Sequence, residues 1–197
     1  MADSLFQKLQ FQAFRAGIPP RTDEARKWFR DKVKNMRGIN RQSLMKDEQL
    51  VRTARPRMGE MYMFFYDPKH KETLPYYDTF PLIIMVEKAP GGFYGLNLHY
   101  LPPPLRAKFF DALMETMNNN RYDETTRFRT RYRILKSVRK LRYFEPCFKH
   151  YLTKHVESRI MKVEAPEWEI ALFLPTQRFK KATATKVYTD SRKMLAS

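Results

Sequence analysis

The stretch from Gly59 to Leu101 constrains the fold most. Met61-Tyr62-Met63-Phe64-Phe65-Tyr66 is dense in aromatic residues, which suit a pleated, half-buried strand. Asp67-Pro68-Lys69-His70-Lys71 follows as a turn-rich loop. Thr79 to Val86 reads as a second buried strand, with Pro81 at an edge or at the strand start. Ala89-Pro90-Gly91-Gly92 is a tight turn, and from Tyr94 onward alternation places Tyr94, Leu96, Leu98 and Tyr100 on one face. Three strands joined by short loops predict a small, curled antiparallel sheet or partly open barrel over about residues 57–101.

Helical signals flank this block, which makes the expected class α+β. Asp3 or Ser4 can cap a helix carrying Leu5, Phe6, Leu9, Ala13 and Phe14, ended by Gly17 and Pro19-Pro20. Thr22 can cap a second, with Ala25, Trp28, Phe29, Val33 and Met36 at helical spacing and Gly38 as its stop. Asn40 to Arg57 is polar, basic and weakly patterned, and reads as a linker with one short helical turn at most. After Pro102-Pro103-Pro104, Leu105, Phe109, Leu113 and Met117 recur in steps of four. A helix over about 130–143 would bury Ile134, Leu135, Val138 and Leu141; a short helix is expected over 148–155 and a late strand over 158–163. Ile170 to Leu174 fits helix or strand, and residues 183–197 form a basic tail suited to a surface helix. The expected organisation is a helical basic arm (1–56), an α+β core (57–175) and a basic C-terminal tail (176–197).

Charge narrows the partners. Lys and Arg total 38 against 21 Asp and Glu, a net charge of +17, while 43% of residues are hydrophobic, as in a folded chain. Such an excess repels itself unless a polyanion or acidic surface offsets it. Residues 121–154 hold eleven cations against Asp123, Glu124 and Glu145. On a helix, Arg129, Arg133, Lys136 and Lys140 form one stripe, continued by Arg142, and arginine grips phosphate or carboxylate bidentately. The mixed-sign pairing of an ordinary solvated helix is missing from it. Interleaved Phe128, Tyr132, Tyr143 and Phe148 suit core packing and also base stacking. Arg26, Arg30, Lys34 and Arg37 form a second cationic face. Two basic faces suit a protein wedged between surfaces, and no helix-insertion DNA-reading motif is present.

Enzymatic readings fare worse. A single Cys147 allows no internal disulfide and no zinc finger. His150 and His155 are five apart, outside the four-residue step that presents two imidazoles to one metal. No phosphate-binding glycine loop and no G-x-S-x-G elbow occurs. A metal-dependent nuclease would need Asp67, Asp78 and Glu87 to converge, whereas Asp67 and Asp78 read as turn residues. No cofactor, metal or small-molecule substrate is expected. The longest central apolar stretch, Pro81 to Val86, is too short to span a bilayer, so a soluble protein without membrane contact is expected.

Several motifs carry a family resemblance. Tyr66-Asp67-Pro68-Lys69, Leu74-Pro75-Tyr76-Tyr77-Asp78, Phe80-Pro81-Leu82 and the run Gly91 to Pro102 resemble small virion structural proteins of T-even-like myophages of the marine and cyanophage type. Lys136-Ser137, Pro146 to Leu152, Trp168 to Pro175 and Asp190-Ser191-Arg192 continue the likeness. The resemblance implies a non-enzymatic virion component assembled in the host cytoplasm: a DNA end protector, or a tail or baseplate part. It also implies other virion proteins as neighbours, with double-stranded DNA as a further partner. The order Gly59 to Pro68, then Pro81 to Ile84, resembles the strand order of MazF-type endoribonucleases. Glu87-Lys88 stands where those enzymes carry an Arg, so the likeness implies only a small barrel.

Overall fold

A computed structural model describes residues 5–20, 22–34, 36, 39–47, 50–117, 133 and 142–196. The chain begins with α1 (Leu5–Arg15), α2 (Asp23–Val33) and the short α3 (Arg41–Leu44). α1 buries Phe6, Leu9 and Ala13 but leaves Phe14 79% exposed, so its apolar stripe is narrower than the pattern predicts. Its end is a Schellman motif: Gly17 takes φ +70°, Gly17 N donates to Phe14 O and Ile18 N to Ala13 O. α2 is capped as expected, with Thr22 Oγ1 accepting from Ala25 N at 3.1 Å.

The sheet has six strands, all paired antiparallel, and remains open. Its members are β1 (Leu50–Thr53), β2 (Met61–Met63), β4 (Leu82–Ala89), β5 (Gly92–Asn97), β6 (Phe148–Leu152) and β7 (Ile160–Val163), in the order β1-β7-β2-β4-β5-β6. A two-stranded ribbon joins β3 (Tyr77–Asp78) to β8 (Phe179–Lys180). Among the described residues the remaining helices are α4 (Pro103–Met117), α5 (Trp168–Phe173) and α6 (Ala184–Ala196), with 3-10 turns at Leu98–Tyr100, Arg142–Cys147, Thr153–His155 and Ala165–Glu167.

The α+β expectation holds, and the sheet draws on more of the chain than residues 57–101. Part of the expected linker is β1, with Leu50 opposite Val163. The helix expected over 148–155 is instead β6 followed by a 3-10 turn. Short apolar runs suit either state, and the free edge of β5 decides: Gly92 pairs with Leu152 and Leu96 with Phe148. The strand carrying Tyr94 and Leu96 stops at Asn97, where a 3-10 turn takes Leu98 and Tyr100 off the alternating face. The expected helix over 130–143 lies outside the described residues, apart from the helical, exposed Arg133 and the start of the 3-10 turn at Arg142.

Both faces of the sheet are covered, which explains why the central strands read as continuous apolar runs. Met61, Met63, Leu82, Ile84, Leu96 and Val163 face one core with Phe6, Phe29, Phe110 and Trp168 from the helices. The alternate residues Tyr62, Phe64, Tyr66, Ile83, Phe93 and Tyr151 form a second, aromatic core. In it Phe64 and Tyr66 reach Tyr151 edge-on, at 5.4 and 4.9 Å between ring centroids. Beyond β2, Tyr66 forms an isolated antiparallel bridge with Val156. The C-terminal segment is a docked helix: Val187 and Ser191 are buried and Ser191 Oγ donates to Tyr100 O at 3.0 Å.

Candidate nucleic-acid interface

The cations singled out by spacing fall into three groups. Arg129, Lys136, Lys140 and Arg37 lie outside the described residues. Arg133 is exposed on a helix, and Arg142 opens the 3-10 turn leading into β6. Arg26, Arg30 and Lys34 belong to α2 and its C-terminal cap, but do not form one free cationic face. Arg26 turns inward, only 11% exposed, and its guanidinium contacts Asp23, Asp111 and Glu169. It thereby ties α2 to α4 and α5, the role a buried guanidinium fork fills well. Arg30 is 43% exposed with Asp31 at 3.8 Å, and Lys34 is exposed.

A second cationic locus is a cavity of about 360 Å³ between the loop 66–78 and the β5–β6 edge. Its walls are aromatic: Tyr76 and Tyr100 lie 6.1 Å apart between centroids, and Phe148 lines the same recess. Lys149 is half-buried there, with Nζ 4.4 Å from the centre of the Tyr100 ring in a cation–π contact. Burial pulls its ammonium below the ordinary lysine range. Lys69, His70 and His150 are exposed at the rim. The local pattern suggests a helix for Phe148 and Lys149; β-pairing places them here beside Tyr76 and Tyr100 instead.

The floor of the cavity is a buried polar network that spacing does not reveal. Asp78 Oδ1 accepts from Phe80 N and Arg178 N, both at 3.0 Å. Its Oδ2 accepts from Asn97 Nδ2 at 3.2 Å and lies 2.6 Å from His99 Nδ1. His99 Nε2 is 3.0 Å from Thr176 Oγ1, and Asn97 Nδ2 also donates to the Tyr151 hydroxyl at 3.0 Å. Burial alone would raise the Asp78 carboxyl, but His99 and the two backbone amides outweigh it and hold it below the usual range. Burial pushes His99 down against the pull of Asp78, with Arg106 and Arg41 acting the same way as burial. The consistent arrangement is an ionised Asp78 accepting from His99 Nδ1–H, with the Thr176 hydroxyl donating to Nε2. Nearby, Arg106 is fully buried and donates to Leu101 O, Leu172 O, His99 O and the Tyr188 hydroxyl, which fastens α4 and α6 to this centre.

An acid–His–hydroxyl chain invites a catalytic reading, but its geometry opposes one. Thr176 and His99 are wholly buried, so no substrate carbonyl or phosphorus can reach the hydroxyl. Burial pushes the Cys147 thiol up to about 12, which removes a reactive thiolate. Asp67 pairs with Lys71 at 2.7 Å and Asp78 with His99, while Glu87 lies on β4. Among the described residues no group of three His, Cys, Asp or Glu side chains is placed to hold a metal ion. Nor is any helix among them long and apolar enough to cross a membrane.

No curated protein and no solved structure matches the chain. A family model described as phage T4 terminal DNA protecting protein matches residues 3–194, both basic segments and the cavity included. The chain belongs to the phage T4 terminal DNA protecting protein family.

Proposed function

We propose that this chain binds the ends of linear phage DNA and shields them by direct contact, as a non-enzymatic component of the particle. The carrying observation is the net charge of +17 in a member of a terminal DNA protecting family. Phosphate neutralisation gives such a surface its affinity, with release of condensed counterions. The phosphate-facing set is Arg129, Arg133, Lys136, Lys140 and Arg142, with Arg30, Lys34 and Arg37 as the second face. Arg26 serves mainly to join α2, α4 and α5. Other virion proteins are the remaining neighbours. The family match favours this reading over a tail or baseplate part whose cations meet only acidic proteins.

The test is exonuclease protection. Linear duplex and a closed dumbbell of the same sequence are incubated with the protein across a salt series, and binding and digestion are followed. The expected result is salt-sensitive binding, protected linear ends and a preference for the open duplex. Linear DNA digested at the unprotected rate, or binding indifferent to salt, overturns the reading.

A further inference from the structure

We infer that the aromatic cavity beside β6 is the subsite for an unpaired terminal nucleotide of a DNA strand, its base stacked against Tyr76 and Phe148 and its phosphate held at Lys69, beside Lys149. The inference rests on the proposed end-binding function and names where on the chain the end itself is held.

Size, shape and charge agree on the ligand. A recess of about 360 Å³ lies within the range of small-ligand sites and accommodates one nucleotide. Its wall offers the half-buried rings of Tyr76 and Phe148, with Tyr100 buried behind them, and any base stacks on such rings without regard to sequence, as protection of an end requires. Lys69 and Lys149 supply positive potential, while the single lining carboxylate, Asp78, is already engaged by four donors and forms the floor. A base inside a duplex cannot enter such a pocket without being extruded, whereas a frayed or unpaired end nucleotide enters at little cost. The recess therefore discriminates an end from continuous duplex, which a surface of phosphate contacts alone does not. The exposed rim residues lie on the loop 69–70 and on β6, an edge strand of the sheet, leaving room for the attached strand to leave.

A terminal nucleotide and a free nucleoside monophosphate present the same base and phosphate, so the experiment separates them. The probe is a short duplex with one unpaired 2-aminopurine at its 3′ end, or in a second version its 5′ end. The full chain is titrated, and quenching of the fluorophore reports stacking. Unlabelled dAMP serves as competitor, and a closed dumbbell as the end-free control. Wild type should quench the terminal fluorophore in at least one version. Tyr76→Ala should weaken open-ended binding by about five-fold or more with dumbbell affinity unchanged, and Tyr76→Phe should restore it. The double variant Lys69→Gln/His150→Ala alters only exposed rim groups and should also weaken end binding, so a misfolded Tyr76→Ala leaves the question decidable. If both variants quench and bind as wild type while wild type still protects ends, the subsite is overturned and the proposed function stands. If dAMP binds the recess but no terminal fluorophore is quenched, the assignment to a DNA strand is overturned in favour of a free nucleotide. If wild type treats open duplex and dumbbell alike, end recognition and subsite fall together.

Discussion

Replacing Asp78 by alanine removes the acceptor on which four donors converge. Their fates differ. Arg178 is an exposed residue whose amide can turn to water, and Asn97 keeps its second bond to the Tyr151 hydroxyl. The Phe80 amide and His99 Nδ1 are buried and left without a partner. A buried donor stranded in this way costs about 1–3 kcal/mol, so two cost about 2–6 kcal/mol. Breaking a buried charged pair by deleting one member costs about 3–5 kcal/mol, an overlapping range. The expected loss is about 3–5 kcal/mol, a large part of the ~5–15 kcal/mol that holds a domain of this kind. Urea unfolding followed through the buried Trp168 should then show a midpoint lower by about 2 M at an m of ~2 kcal/mol/M. Asp78→Asn keeps an oxygen for the two amides but offers N–H to His99 Nδ1–H, so its loss should be smaller than that of Asp78→Ala. A loss under about 1 kcal/mol for Asp78→Ala, or a larger loss for Asn than for Ala, would refute this account of the network.

Other expectations concern separate parts of the molecule. Burial depresses His99, so the native state binds fewer protons than the unfolded chain below pH 6.5. Stability should be full above that pH and decline as pH falls, and a urea series at stepped pH on wild type and His99→Gln should show the decline weakened in the variant. A Cβ on Gly92 would lie 1.8 Å from the Tyr151 carbonyl oxygen, so Gly92→Ala should part β6 from β5. The expected cost is about 1–3 kcal/mol, with faster amide exchange over residues 148–152. Arg26→Ala should cost about 1–3 kcal/mol, because it removes the mostly buried cation that faces Asp111 and Glu169, while duplex affinity of the folded fraction changes little. Arg30→Ala should do the reverse, staying within about 0.5 kcal/mol of wild-type stability. Melting curves and a salt-dependent binding series on the same samples separate the two. Each of Arg129, Arg133, Lys136 and Lys140 that contacts phosphate should, when changed to Gln, lower the slope of log affinity against log salt by about 0.9.

Local patterns were enough where neighbouring residues decide the outcome. Gly17 and Thr22 bound their helices as the spacing predicts, because caps are settled within one turn of backbone. The strand at Met61 and the turn at Gly91-Gly92 follow from propensity and glycine content, and α2 buries the expected Ala25, Phe29 and Val33. Phe148 to His155 was opaque for the opposite reason. Its run is too short to declare a period, and β6 exists only because β5 presents an open edge. The same holds for β1, a polar stretch whose pairing partner β7 lies far along the chain.

The candidate site divides along the same line. Sequence alone determined the basicity, the two cationic segments and the abundance of aromatic side chains, since these are sums over residues and survive any folding. It also held the family motifs. Which cations remain free was a tertiary decision: Arg26 has the same spacing as Arg30, yet packing of α2 on α5 brings Glu169 to the first and leaves the second at the surface. Asp78 looked like a turn residue, and it is one in part, accepting from Phe80 N two residues on. Its partners Asn97, His99 and Arg178 come from β5, the 3-10 turn after it and the approach to β8. No local period encodes a contact across a hundred residues. The recess of Tyr76, Tyr100, Phe148 and Lys149 likewise joins three segments that meet only once the sheet has formed.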